Sequence, residues 1–273
     1  MYGRKIFRWI IVFLLIIGTL ITATNVTATT PEEIIQGCTK TIERNPNDAP
    51  SYMDRGLAYS ELRKYKLAIK DFDKAIKLIP SNCPNYLSEA YYNRGLNYYL
   101  LGAQQLPLIS ATLNFTNAIQ NYNEAIKLNP NYAEAYSKRG LAFSMLGEPR
   151  LLLQTIEDYK KALELKPDYA EVYLSLGNLH LVVFKEYKEA VECYDVAIEL
   201  KPDYSEAYNN RGAAYFELKK YEQAISDATK AIELDPSHAA TAYQMRGESY
   251  KKLGDKEKAK ADFAKAKELR KKR

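Results

Sequence analysis

The chain has 273 residues, a formal charge of +5 and 27% charged residues. Without Arg4, Lys5 and Arg8, which would leave with a leader, 36 of the 39 basic residues face 34 acidic ones, a balance that gives no case for a nucleic-acid partner. Three cysteines and two histidines without CxxC or HExxH spacing argue against a disulfide framework or a compact metal motif.

Residues 1–28 read differently from all that follows. Arg4, Lys5 and Arg8 precede an uncharged run from Trp9 to Ile21, and a small polar stretch ends at Ala28. That order of basic, apolar and small residues describes a signal peptide cleaved after Ala28 or an uncleaved membrane anchor, and both readings stay open. Either one carries the remainder across a membrane, which predicts an exported (periplasmic or extracellular) or membrane-anchored protein.

Residues 29–46 contain one amphipathic pattern, PEEIIQGCTKTIERNP, that aligns with the second half of a unit found later in the chain. It is expected to be a lone capping helix. Six full units then fill 47–270, at about 47–80, 86–130, 131–167, 168–202, 203–236 and 237–270, and a basic tail occupies 271–273. Each unit predicts two helices around a short turn. The first carries a small residue, Gly56, Gly95, Gly140, Gly177, Gly212 or Gly247, and three positions later Tyr59, Tyr98, Phe143, His180, Tyr215 or Tyr250. Second helices show Ala68/Phe72/Ala75, Ala118/Tyr122/Ala125, Thr155/Tyr159/Ala162, Ala190/Tyr194/Ala197, Ala224/Ala228/Ala231 and Ala259/Phe263/Ala266.

The second unit is the irregular one. Extra residues around SNCPNYL and within AQQLPLISATLNF, near 103–115, predict either a rim loop or extended helices. In the third unit the leucines of the Gly147–Leu153 stretch are expected to pack against that insertion. From Lys251 to Arg273, eleven basic residues meet four acidic ones, which reads as the solvated outer face of a last helix. A second reading is docking on an anionic lipid or polymer.

The unit at Asp203–Pro236, with Tyr208, Gly212, Tyr215, Ala224, Ala228, Ala231 and Pro236, resembles the tetratricopeptide repeat, the aromatic usual at Ala228 being absent. The resemblance extends over residues 31–269. It implies an all-α fold, an α-solenoid in which antiparallel helix pairs wind into a right-handed superhelix, and a concave groove lined by first helices that holds a peptide or a partner helix. Carried over by position, the groove residues are Met53, Asp54, Leu57, Tyr92, Asn93, Tyr99, Ser137, Lys138, Met145, Leu174, Asn178, Leu181, Asn209, Asn210, Phe216, Gln244, Met245 and Glu248. Some family members grip carboxylate tails through lysines, asparagines and an arginine. Here Leu174, Thr241 and Met245 stand at the charged places, so that clamp is not expected. Gly212 is expected to sit at a tight helix crossing, where added bulk would cost about 1–3 kcal/mol. Tyr215 is expected to supply buried bulk.

One covariation runs through the units. The residue before the glycine is Arg55, Arg94, Arg139, Leu176, Arg211 or Arg246, and one fixed place on the second helix reads Asp71, Asn121, Asp158, Cys193, Asp227 and Asp262. Arginine accompanies Asp or Asn, whereas leucine accompanies Cys. This predicts a structural ion pair inside each repeat, Arg211 lying within salt-bridge range of Asp227, and an apolar contact in the fourth.

No catalytic constellation is found, and no cofactor or metal is predicted. His180, at an aromatic place, is expected to be packed in the core. Cys38 and Cys193 fall on inner faces, leaving Cys83 as the exposed thiol. The sequence therefore predicts a non-enzymatic scaffold binding a protein or peptide, with membrane contact through residues 1–28.

Overall fold

The computed structural model describes residues 29–104 and 108–271. The leader expectations fall on residues 1–28 and so lie outside the described residues. Thr30 opens the first helix, α1 (Pro31–Arg44), with a capping box: its hydroxyl accepts from the Glu33 N–H at 3.2 Å and its own N–H donates to the Glu33 carboxylate at 2.8 Å. No residue of α1 is buried, and Ile42 packs against the first full repeat.

Six helix pairs follow. They are α2 (Ala49–Glu61) with α3 (Tyr65–Leu78), α4 (Pro84–Gln104) with α5 (Leu108–Leu128), and α6 (Ala133–Leu146) with α7 (Leu152–Leu165). Next come α8 (Ala170–Asn178) with α9 (Tyr187–Leu200), α10 (Ser205–Glu217) with α11 (Tyr221–Leu234), and α12 (Ala240–Lys252) with α13 (Lys256–Lys271). Each helix packs on its predecessor and its successor, and no strand occurs among the described residues. The fold is an α-solenoid whose core is a series of small clusters rather than one centre.

Within a pair the close contact is a glycine beneath an aromatic ring. Phe72, Tyr122, Tyr159 and Tyr194 are at most 1% exposed. A methyl added at Gly56, Gly95, Gly140 or Gly177 would lie 2.9, 3.0, 2.9 or 2.5 Å from the ring carbons of these four in turn. The fifth repeat departs from this. Ala228 offers no ring, and a methyl at Gly212 would first meet the Met245 sulfur, from the next repeat, at 3.3 Å. The expectation of costly overpacking at Gly212 is therefore corrected. Tyr215 is likewise only half-buried, its ring facing Arg211 and Lys220, which corrects its expected buried role.

The turns between paired helices share a left-handed residue. It is Gly147 (φ 66°) and Gly254 (φ 88°) in two repeats, but Arg63 (φ 55°), Lys185 (φ 58°) and Lys219 (φ 60°) in others. The fourth repeat inserts a π-helical turn over Leu179–Phe184 between α8 and α9. This widened turn buries Leu179 and leaves His180 half-buried, its ring 2.8 Å from the Glu186 carboxylate and beside Phe184, which corrects the expected core histidine. The second repeat takes up its extra residues chiefly by lengthening both helices to 21 residues, Tyr99 meeting Phe115 across them. In the third, Leu152 joins the cluster around Tyr159, whereas Leu153 is 70% exposed and so is not packed against the insertion.

The arginines before the glycines join three helices at once. Arg55, Arg139, Arg211 and Arg246 each fork onto Asp71, Asp158, Asp227 and Asp262 with two bonds of 2.6–2.9 Å. Arg94 donates to Asn121 at 2.7 Å. The remaining Nη1 reaches back to the previous second helix, meeting Thr39, Asp73, Asn123, Asp195 or Thr229 in turn. In the fourth repeat Leu176 packs instead into the cluster of Tyr159, Ala162 and Val172, and the residue that would receive the backward bond is Lys160. Burial pushes the Cys193 thiol up to about 11.

Candidate functional site

First helices of consecutive repeats also approach one another directly, α2 with α4, α4 with α6 and α10 with α12, in addition to their contacts with second helices. The ribbon thus curls toward its first helices, and their outer stripe is its inner face. Residues reach that stripe because a helix repeats its direction about every 3.6 residues, so positions three and four apart stand in line.

In the second and third repeats the inner face is aromatic. Tyr92 lies 4.8 Å from Tyr132 and 5.9 Å from Tyr122, centroid to centroid. Burial raises the pKa of both the Tyr92 and the Tyr132 phenol. Tyr122 itself is wholly buried, and its hydroxyl finds no hydrogen-bond partner among the described residues. Lys138 is half-buried, and burial lowers its ammonium pKa while Glu171 opposes the shift. Met145 is 47% exposed.

Toward the C-terminus amides replace rings. Asn178 Oδ1 accepts from the Tyr194 hydroxyl at 2.8 Å and from Asn210 Nδ2 at 2.9 Å, so this oxygen is already engaged inside the protein. Asn209 donates to Asn210 at 3.2 Å, whereas its own Oδ1 is buried and unpartnered among the described residues. Beyond them, Phe216 and Met245 form the apolar wall of an open pocket of about 270 Å³ lined also by Gln244, Glu217, Glu248 and Arg270. Phe216 is braced edge-on by Tyr221 at 5.5 Å.

Not every residue assigned to the groove by position is offered there. Met53, Asn93, Ser137 and Leu174 are between 1% and 9% exposed and pack between helices, which corrects their assignment to the groove lining. Met53 and Leu174 fill the clusters between neighbouring helices instead of facing the groove. Sequence reasoning passed over the orphan hydroxyl of Tyr122. Its signal was a tyrosine in a second-helix place where Phe72 shows that a ring alone suffices. Among the described residues no group of His, Cys, Asp and Glu is placed to hold a metal, and no helix is long and apolar enough to cross a membrane.

Comparison with known proteins places these features in context. One sequence profile of the tetratricopeptide repeat matches residues 49–82 and 205–238, and another matches 240–273. A profile described as TPR repeat matches 114–147, 154–181 and 185–219. Heat shock protein STI1 of Saccharomyces cerevisiae is 34% identical over 100 residues, 37% of this chain and 14% of its own length. Neutrophil cytosol factor 2 of Mus musculus is 29% identical over 115 residues, 42% of this chain and 19% of its own. The chain thus spans less than a fifth of the length of these two relatives. Among solved structures, MamA is 31% identical with a TM-score of 0.51, over 58% of this chain and 90% of that one. The Cut9–Hcn1 hetero-tetramer of the APC/C shares the fold with a TM-score of 0.70 at 18% identity, over 88% of this chain and 43% of that chain. YrrB, described as a TPR protein with an unusual peptide-binding site, gives 0.51 at 23% identity over 76% of this chain and 96% of its own.

Proposed function

Because the chain belongs to the tetratricopeptide repeat family, we propose that it is a non-enzymatic scaffold that holds a segment of another protein along the inner face of its first helices. The observation that carries this reading is the run of half-buried rings and amides from Tyr92 to Phe216, ending in the open apolar pocket at Phe216 and Met245. Such a surface offers apolar pockets for side chains and amides for a peptide backbone. YrrB, a protein of similar fold, is described as having a peptide-binding site, which lends the reading support.

The place of action is proposed from the sequence. The basic start and uncharged run of residues 4–21 favour export or tethering at a membrane, with the scaffold serving assembly of an envelope complex. Affinity capture with the full-length protein from its own envelope fraction tests both parts. Substitution of Tyr99→Ala or Asn210→Ala should remove a partner held in the groove and leave the fold intact by circular dichroism. If deletion of residues 265–273 removes the partner instead, and binding is salt-sensitive, docking through the basic last helix on anionic lipid or polymer replaces this reading.

A further inference from the structure

The inner face carries a pattern that its rings and amides do not explain. Six residues before the repeated glycine, four consecutive repeats have a glutamate: Glu89, Glu134, Glu171 and Glu206. Eight residues before it, three of them have a tyrosine: Tyr132, Tyr169 and Tyr204. In space the two rows alternate. Tyr132 lies in the field of Glu89 and Glu134, Tyr169 in that of Glu134 and Glu171, and Tyr204 in that of Glu171 and Glu206. Carboxylates and phenol faces thus follow one another along one margin of the groove, with a period of one repeat.

The chain's own lysines show what such a strip accepts. Lys166 places its ammonium 3.1 Å from the Glu134 carboxylate and 4.7 Å from the centre of the Tyr169 ring. Lys201 stands 4.7 Å over Tyr204 in the equivalent place of the next repeat. Among the described residues Glu171 and Glu206 form no salt bridge; Glu171 is exposed and lies in the field of Lys138, and Glu206 reaches the surface with its pKa raised by partial burial. Glu206 also shares a cavity of about 330 Å³ with Asn209, whose buried Oδ1 lacks a donor. At the other end of the strip, Tyr132 meets the Tyr92 ring at 4.8 Å, centroid to centroid. The unsatisfied Asn209 oxygen beside the strip and the unpaired carboxylates along it call for a ligand that brings N–H donors and positive charge.

We propose that the Glu–Tyr strip recognises an extended basic segment of the partner, with lysine or arginine side chains lodged between successive glutamates and tyrosine faces and backbone N–H donated to Asn209. This deepens the groove reading and rests on it. The sign is opposite to that of the lysine-based clamp for carboxylate tails, which agrees with the absence of that clamp's charged residues here.

The test uses full-length protein and two fluorescein-labelled twelve-residue peptides. One has lysine at every third position in a Ser/Ala background, and the other has glutamate in its place. Anisotropy should show binding of the lysine peptide alone, weakening as salt rises. Glu171→Gln with Glu206→Gln, which keeps the side-chain shape, should weaken it by about fivefold or more. Glu192→Gln with Glu199→Gln, exposed on the second helix α9, should leave it unchanged. Equal binding of both peptides, no binding of the lysine peptide, or no effect of the Glu171/Glu206 pair overturns the proposal. The groove reading would still stand in each of these cases if Tyr99→Ala or Asn210→Ala released a captured partner.

Discussion

Equivalent glycines in this array meet different neighbours, and their tolerance of a methyl group should differ accordingly. At Gly177 a Cβ would come within 2.5 Å of the Tyr194 ring, which is fully buried and hydrogen-bonded to Asn178, so neither partner can yield cheaply. Gly177→Ala should therefore lower stability by about 1–3 kcal/mol. At Gly212 the first neighbour is the flexible thioether of Met245 at 3.3 Å. Gly212→Ala should be neutral or stabilising by up to about 1 kcal/mol, since alanine is the better helix former. Urea unfolding of the two variants checks the contrast, and equal losses at both sites would refute it. The lost aromatic at Ala228 was visible in the sequence. That a methionine from the following repeat stands over Gly212 was not, because nothing local marks a contact between residues more than thirty apart.

Between elements, the arginine before each glycine is the main directional link. Its Nε and Nη2 hold the second helix of its own repeat, and its Nη1 holds the second helix of the repeat before. Asp227 is nearly buried, its side chain 8% exposed, so removing Arg211 alone would leave a carboxylate without its partner. Arg211→Leu should cost about 3 kcal/mol. The double change Arg211→Leu with Asp227→Cys, which copies the fourth repeat, should return most of that loss, because an apolar contact then replaces the pair. A double-mutant cycle measured by thermal unfolding decides it: additive losses would show that the two side chains do not act together. The covariation of these two places was legible in a single chain because the repeats serve as six samples of one environment. The backward bond to Thr39, Asp73, Asn123, Asp195 and Thr229 escaped notice, since those acceptors differ in chemistry and share only their register.

At the scale of the whole molecule the array is continuous but not uniform. The joint between the third and fourth repeats lacks the arginine link, having Leu176, Cys193 and Lys160 in its three places. There α8 also meets α7 less extensively than consecutive helices meet elsewhere, and the π-helical turn at Leu179–Phe184 leaves Val182 and Val183 exposed. Stability in such an array is a sum of repeat and interface contributions, so the weak interface should open first. Native-state hydrogen exchange should show α8 and the π-helical turn exchanging faster than α10 and α11, and a single uniform protection level across α6–α11 would contradict this. The sequence by itself determined the family and the helix pairs and first helix seen among the described residues, because each is written in short-range periodicity repeated many times. Only the tertiary structure decided which inner-face residues are open and which are buried, where His180 goes, and that glutamates and tyrosines from separate repeats form one strip. Those features depend on how neighbouring repeats stack, and the stacking is set by contacts between residues about 35 positions apart, beyond the reach of any local pattern.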